Sequence, residues 1–294
     1  MAQGVIEMKE DENYATGLLE KQVQYFLDRF YMSRISIRML INQHTLLFDP
    51  ERHQSSKHIG AIDPACRVQD VAQDAYENAK FLCEQYYLNS PDCVFESVDP
   101  SGNKEGSLTV TYVPSHLYHI LFELFKNALR AVVETHGQKD SLPDIKVMIC
   151  KGNEDLTIKI HDEGGGISRS QLPLLFNYMY STAPRPPSPA AASSTPLAGY
   201  GYGLPLSRLY AKYFLGDLHL SSVEGYGTDA YVNIKVFPDD ASELLPVYNK
   251  TSSAKYHTSQ SVSDWSDPIH SSGLHSRNFS TLSNSRKRTL RRKS

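Results

Sequence analysis

The segment HILFELFKNALRAVVETHG, residues 119–137, carries the clearest structural pattern in the chain. Apolar residues recur at intervals of three and four along it and just before it, which is the spacing of one helix face. They are Leu117, Leu121, Leu124, Ala128 and Val132. The pattern predicts a helix that covers a core, with Ser115 as its N-cap and Gly137 at its C-terminal end.

The opposite side of this predicted helix is a single row of polar residues. The row consists of His119, Glu123, Asn127, Arg130 and Glu134. Side chains three or four residues apart are neighbours on a helix, so His119 can hydrogen-bond Glu123. The row suits a solvated face with ion pairs, or a base and an oxygen ligand for Mg²⁺ one turn apart. An Asn in mid-helix favours the second reading, because its helix propensity is poor.

Two glycine-rich loops follow. In the first, Asp162 ends a predicted strand and is followed by Gly164, Gly165 and Gly166. Glycines let a backbone approach a ligand closely, and a carboxylate beside them can accept a hydrogen bond from an adenine-type amino group. A flexible turn is the alternative interpretation.

The second loop, GYGYGL at residues 199–204, stands directly before a predicted helix. Free amides of such a loop at a helix N-terminus form an anion site, although the spacing is neither a P-loop nor GxGxxG. The intervening residues 180–199 are rich in Pro, Ala, Ser and Thr. So long an irregular segment is typical of an active-site lid or of disorder, and its position favours a lid over ATP.

The wider pattern predicts an α+β protein. Helical periodicity runs from about residue 20 to 48 and again from Asp63 to about Leu88, before strands and helices alternate with a hairpin at 145–162. We expect a partial helical bundle over 1–92 and an ATP-binding domain over 93–240. We expect an extended tail over 241–294, with a Trp at 265 and a basic end that suits a solvated tail or a binding signal.

Composition and charge narrow the possible classes of function only slightly. The 294 residues are 40% hydrophobic with a net charge of -3, which gives no global indication of nucleic acid or an anionic membrane as partner. No apolar run reaches the ~18 residues of a membrane span. The four cysteines lack CxxC or metal-type spacing, which favours reduced, structural thiols inside a cell. No targeting peptide is visible in the acidic first residues.

Taken in order, these motifs resemble the GHKL (Bergerat-type) α/β sandwich shared by histidine kinases, gyrase and Hsp90. Within that superfamily the wording of five segments resembles the mitochondrial pyruvate dehydrogenase kinases. The segments are FLDRFYMSRISIRMLINQH, VPSHLYHILFELFKNALRA, MYSTAP, PLAGYGYGLPLSRLYAKYF and LPVYNK. The resemblance runs from Met1 to about Lys250.

The resemblance implies an ATP- and Mg²⁺-dependent protein serine kinase that phosphorylates the E1α subunit of the pyruvate dehydrogenase complex and inactivates it. Glu123 matches the general base, His119 the residue that polarises it, and Asn127 the Mg²⁺ ligand. The positions that match nucleotide contacts are Glu123, Asn127, Arg130, Asp162, Gly164, Gly166, Ser181, Thr182, Gly199, Tyr200, Gly201, Tyr202, Gly203 and Leu204.

The resemblance also implies partners and a location. It implies a homodimer through the tail residues Asp264 and Trp265, docking on the lipoyl domain of E2, and the mitochondrial matrix. Family members carry further bundle helices before the region that matches this chain, so we expect docking to be weakened or lost if those helices are absent. Of the family's pyruvate and dichloroacetate pocket, Arg34 and Arg38 match. The alternative to an active kinase is a short form that binds ATP and dimerises without kinase activity. A histidine kinase is disfavoured because no H-E-x-x-T-P helix is present.

Overall fold

A computed structural model of the chain describes residues 4, 17–48, 58–98, 108–137, 141–182, 199, 201–237, 239 and 241–244. All of them belong to one compact unit, Met1–Val247. The central part of the predicted lid, Tyr200, Asp264, Trp265 and the basic end lie outside the described residues.

A five-stranded mixed sheet forms one layer, in the strand order β2-β4-β5-β7-β6. Its strands are β2 (Cys93–Val98), β4 (Ile145–Lys151), β5 (Asp155–Asp162), β6 (Asp217–Val223) and β7 (Gly227–Lys235). Among the four described strand pairs of this sheet, only β2–β4 is parallel. The predicted hairpin at 145–162 is confirmed as the antiparallel pair of β4 and β5. Along β5 every second residue is buried, and the last of these is Asp162.

The helix of the polar row, α3 (Pro114–His136), is as predicted, and its apolar residues from Leu117 to Val132 are buried against the sheet. Gly137 ends it with a positive φ of 58° and donates its N–H to Val133 O. The prediction that Ser115 caps the helix is wrong. Val113 is the N-cap, and its aliphatic side chain cannot make a capping bond. Pro114 follows it in the first turn, where a missing N–H costs nothing, so one of the unpaired amides is absent from the start.

The prediction that a helix begins at Asp63 is also wrong. Asp63–Arg67 forms strand β1, which pairs antiparallel with β3 (Thr109–Tyr112) and buries Cys66. The helix α2 begins only at Val68 and runs to Tyr87. Its buried side, which includes Ala72, Ala75 and Ala79, packs on α3 and belongs to the same hydrophobic core as the sheet. The sequence misleads here because the pairing partner of β1 lies about forty residues further along the chain.

The long helix α1 (Gly17–Leu47) packs on α4 (Gly203–Tyr213), where Met32, Ile35 and Met39 meet Leu209 and Tyr213. A separate contact joins α1 to the segment after a short 3-10 helix (Leu172–Leu174). No helix among the described ranges is both long and apolar enough to cross a membrane. The α+β class is confirmed, while the domain limits at 92 and 240 stay predictions.

Candidate active site

The polar row of α3 runs along the side of the helix that faces the second glycine loop. Glu123 lies where α4 begins. A Cβ added at Gly203, the first residue of α4, would collide with Glu123 Oε2, so a larger residue there would displace the carboxylate from its present position. Asn127 lies one turn further along and is exposed. The structure therefore joins two predicted motifs, the carboxylate of α3 and the start of the glycine-loop helix.

Lys126 was not among the residues named from the sequence, yet it contacts the candidate base Glu123. Its Nζ lies 2.8 Å from Glu123 Oε1, and the two side chains are only 16% and 18% exposed. The pair occupies one oxygen of the carboxylate and leaves Oε2 on the side of Gly203. A basic residue three positions after an acidic one on a helix was the available signal.

His119 does not make the predicted hydrogen bond to Glu123. Its Nε2 is buried and has no hydrogen-bond partner among the described residues. Its ring centroid lies 4.7 Å from that of Tyr210 on α4. Burial lowers the pKa of His119, Lys126 and Arg38 lower it further, and the Glu123 charge opposes them. The imidazole is therefore a neutral group with an unused nitrogen one turn before Glu123.

The first glycine loop is held by the last turn of α3. Thr135 Oγ1 donates to Gly164 O over 2.8 Å, and a Cβ on Gly164 would lie 2.5 Å from the Cβ of Ala131. Gly165 and Gly166 both have positive φ, at 80° and 68°. The glycines are thus required by close packing on the helix and by backbone conformation.

Asp162 enters this loop from the buried face of β5 and is only 7% exposed. Its Oδ1 accepts the N–H of Gly164 over 2.9 Å. Burial raises the pKa of Asp162 to about 6, and the hydrogen bond from Gly164 only partly offsets this. A carboxylate retained at such a cost suits a ligand that donates a hydrogen bond to it.

The second glycine loop packs on the residues that precede the lid. Gly201 has φ 76°, and a Cβ there would lie 2.5 Å from the carbonyl oxygen of Tyr180. Met179 donates its N–H to Gly201 O over 3.0 Å. Tyr202, the N-cap of α4, makes no side-chain capping bond, which leaves the first amides of the helix for another acceptor.

The base of the lid reaches α3 through Arg130. A terminal nitrogen of Arg130 lies 3.4 Å from Thr182 Oγ1. Both Ser181 and Thr182 are exposed, Tyr202 and Leu204 are half-buried, and Gly199 is exposed. One helix, α3, therefore contacts both glycine loops and the base of the lid.

Two family profiles match the chain. Residues 1–63 match "Mitochondrial branched-chain alpha-ketoacid dehydrogenase kinase". Residues 112–238, which contain α3 and both glycine loops, match "Histidine kinase-, DNA gyrase B-, and HSP90-like ATPase".

Curated relatives match nearly the whole chain. A mitochondrial [pyruvate dehydrogenase (acetyl-transferring)] kinase of Drosophila melanogaster is 58% identical over 92% of this chain and 66% of its own length. A probable kinase of the same name from Caenorhabditis elegans is 55% identical over 93% of this chain and 67% of its own. Isozyme 1 of Homo sapiens is 54% identical over 91% of this chain and 62% of its own.

The chain thus spans about two thirds of the length of these relatives. Three observations agree with one another. They are the motifs that carry the sequence resemblance, the match to the HSP90-like ATPase family and the high identity to these relatives over most of the chain. The chain belongs to the mitochondrial pyruvate dehydrogenase kinase family, within the GHKL superfamily.

Proposed function

We propose that this chain is an ATP-dependent protein serine kinase that phosphorylates the E1α subunit of the pyruvate dehydrogenase complex and so inactivates it. The observation that carries the proposal is the placement of Glu123, whose Oε2 faces the first residue of the glycine-loop helix. A carboxylate beside an anion-binding helix start suits phosphoryl transfer, which needs positioning and charge neutralisation more than covalent catalysis.

In this proposal Glu123 is the general base. The serine hydroxyl of E1α attacks the γ-phosphorus of ATP, its proton passes to Glu123, and ADP leaves with the electrons of the broken P–O bond. Lys126 holds the other carboxylate oxygen, which keeps the side chain directed at the loop. The role of polarising the base is proposed for His119, whose Nε2 has no hydrogen-bond partner among the described residues; this role requires the imidazole to turn toward Glu123, because the two side chains are not hydrogen-bonded in the structure.

The nucleotide would be held by the loops around α3. Asp162 would accept a hydrogen bond from the adenine amino group, and Gly164 and Gly166 would let the adenine ring approach the backbone. Arg130 and the backbone amides of 199–204 would contact the phosphates. Ser181, Thr182, Tyr200, Tyr202 and Leu204 are proposed to complete the contacts at the lid base and the loop.

Mg²⁺ is proposed as the cofactor, with Asn127 as its protein ligand. The exposed carboxamide of Asn127 lies on the same face as Glu123, and Mg²⁺ commonly takes one or two protein oxygens with phosphates and waters. The carboxamide oxygen of Asn127 is a type of ligand that fits Mg²⁺. When bound, Mg²⁺ neutralises charge on the phosphates.

The family also supports proposals about partners and location. We infer docking on the E2 lipoyl domain and homodimerisation through Asp264 and Trp265. We infer the mitochondrial matrix as the location, because the relatives are named mitochondrial kinases.

The test is transfer of labelled γ-phosphate from ATP to purified E1α, with Glu123→Gln as the variant. Loss of a general base typically costs ~10²–10⁴ in rate, so we expect acid-stable label with the natural chain and almost none with the variant. Glu77→Gln, which changes an exposed Glu of α2 in the same way, is the matched control and should keep full transfer.

Other outcomes would overturn the proposal in distinct ways. ATP binding without any label would leave the alternative, a binding module without kinase activity. Acid-labile label would indicate a histidine kinase. Equal transfer by Glu123→Gln and the natural chain would remove Glu123 as the base.

A further inference from the structure

Glu134 is the one member of the polar row that the proposed chemistry leaves without a role. Its Oε1 accepts two hydrogen bonds, from Arg130 Nε over 2.9 Å and from the hydroxyl of Tyr87 over 2.7 Å. The Arg130 bond joins residues one turn apart on α3, whereas Tyr87 comes from the last turn of α2. Two helices thus converge on a single carboxylate oxygen.

This contact fixes the direction of Arg130. A guanidinium is planar and its donors form a rigid fork, so holding Nε also sets the terminal nitrogens. One of these terminal nitrogens lies 3.4 Å from Thr182 Oγ1 at the base of the lid. The side chain of Arg130 is only 15% exposed, while that of Glu134 is 43% exposed. Arg130 is thus the buried member of the pair and lies beside the base of the lid, whereas Glu134, which holds it, is partly exposed to solvent.

Tyr87 keeps the carboxylate in place. Burial and the neighbouring Glu134 charge both raise the pKa of Tyr87, so its hydroxyl remains a donor at neutral pH. A half-exposed Glu–Arg pair by itself contributes little to stability. The geometry accordingly suits orientation of Arg130 better than support of the fold.

We infer that Glu134 and Tyr87 are positioning residues that aim Arg130 at Thr182 and at the phosphates of a nucleoside triphosphate or diphosphate. Glu134 holds Nε, Tyr87 holds Glu134, and the terminal nitrogens of Arg130 remain for the lid base and the phosphates. The inference rests on the proposed function, since it takes the ligand to be the nucleotide of that site.

The test measures ADP binding to the complete chain by titration calorimetry, together with KM for ATP and kcat for E1α phosphorylation. Glu134→Ala should weaken ADP binding about tenfold, the equivalent of one charge-assisted hydrogen bond at ~1.4 kcal/mol. Glu134→Gln keeps an acceptor oxygen and should restore part of the affinity. Tyr87→Phe should weaken binding about threefold, with KM for ATP rising more than kcat falls.

Two controls separate positioning from folding. Tyr86→Phe changes a neighbouring, 52% exposed tyrosine. Asp70→Ala breaks the exposed pair between Arg67, the last residue of β1, and Asp70 in the first turn of α2. Both should leave ADP affinity unchanged. A double-mutant cycle of Glu134→Ala with Arg130→Ala should be strongly non-additive, because the first change acts through the second residue.

The remaining outcomes would contradict the positioning role, the proposed function or both. If Glu134→Ala and Tyr87→Phe lower the melting temperature but leave ADP affinity unchanged, the positioning role is wrong and the contacts are structural. Additive effects in the cycle would also contradict it. If the natural chain binds no ADP, the proposed function and this inference fail together. If it binds ADP but transfers no phosphate, only the kinase proposal fails and the affinities still decide the role of Glu134.

Discussion

The buried carboxylate of Asp162 makes stability depend on pH in a direction that can be tested. Burial raises its pKa from 3.8 to about 6, and one pKa unit corresponds to ~1.4 kcal/mol. The folded state therefore binds the proton more tightly than the unfolded chain. The contribution of Asp162 is fully favourable below about pH 4, and it is lost as pH rises through about 6, at a cost of about 3 kcal/mol.

The substitution Asp162→Asn removes this dependence. The carboxamide is neutral at every pH and retains an oxygen for the Gly164 N–H. We expect the variant to be more stable than the natural chain by up to about 3 kcal/mol near pH 7, and equally stable near pH 4. It should nevertheless lose ATP affinity, because the amide nitrogen would face the adenine amino group donor to donor. Stability would thus rise while function falls.

The assay is urea denaturation of both proteins at several pH values, with the difference in unfolding free energy plotted against pH. The matched control is Asp229→Asn on the neighbouring strand β7. Burial raises the pKa of Asp229, but bonds from Lys159 and His161 outweigh this and lower it overall. The control variant should therefore be less stable at neutral pH, with a deficit that shrinks as pH falls. A pH-independent difference for Asp162→Asn would refute the reasoning.

Two further substitutions test the packing around α3. Gly164→Ala would place a Cβ 2.5 Å from that of Ala131. In urea denaturation it should therefore lose more stability than Gly199→Ala, whose added Cβ meets no atom within 4 Å and whose backbone has no positive φ. Equal losses would contradict the close packing. Lys126→Met removes the cation beside Glu123. We expect kcat for E1α phosphorylation to fall roughly tenfold, and the free energy of unfolding to fall by about 1–3 kcal/mol because a largely buried carboxylate loses its partner. Unchanged kcat and stability would contradict that role.

Much of the site was predictable because its motifs are local. The buried stripe of α3 and the end of the helix at Gly137 follow from periodicity and backbone conformation within a few residues. The hairpin of β4 and β5 follows from alternation on either side of a short turn. The positive φ values at Gly165 and Gly201 agree with the glycine-rich loops. Lys126 was within reach of the same reasoning, because its partner is three residues away.

The remaining features depend on which elements meet, and no local pattern encodes that. Asp63–Arg67 is a strand because β3, more than forty residues later, pairs with it. Asp162 has a raised pKa because helices cover the face of the sheet on which it lies. Tyr87 reaches Glu134 across 47 residues of sequence. The helix α3, its polar row and the two glycine loops can be read from the amino-acid sequence, since they depend on neighbours along the chain. Which charges are buried and which side chains support them follows from the packing of the layers, because burial and long-range contacts arise only there.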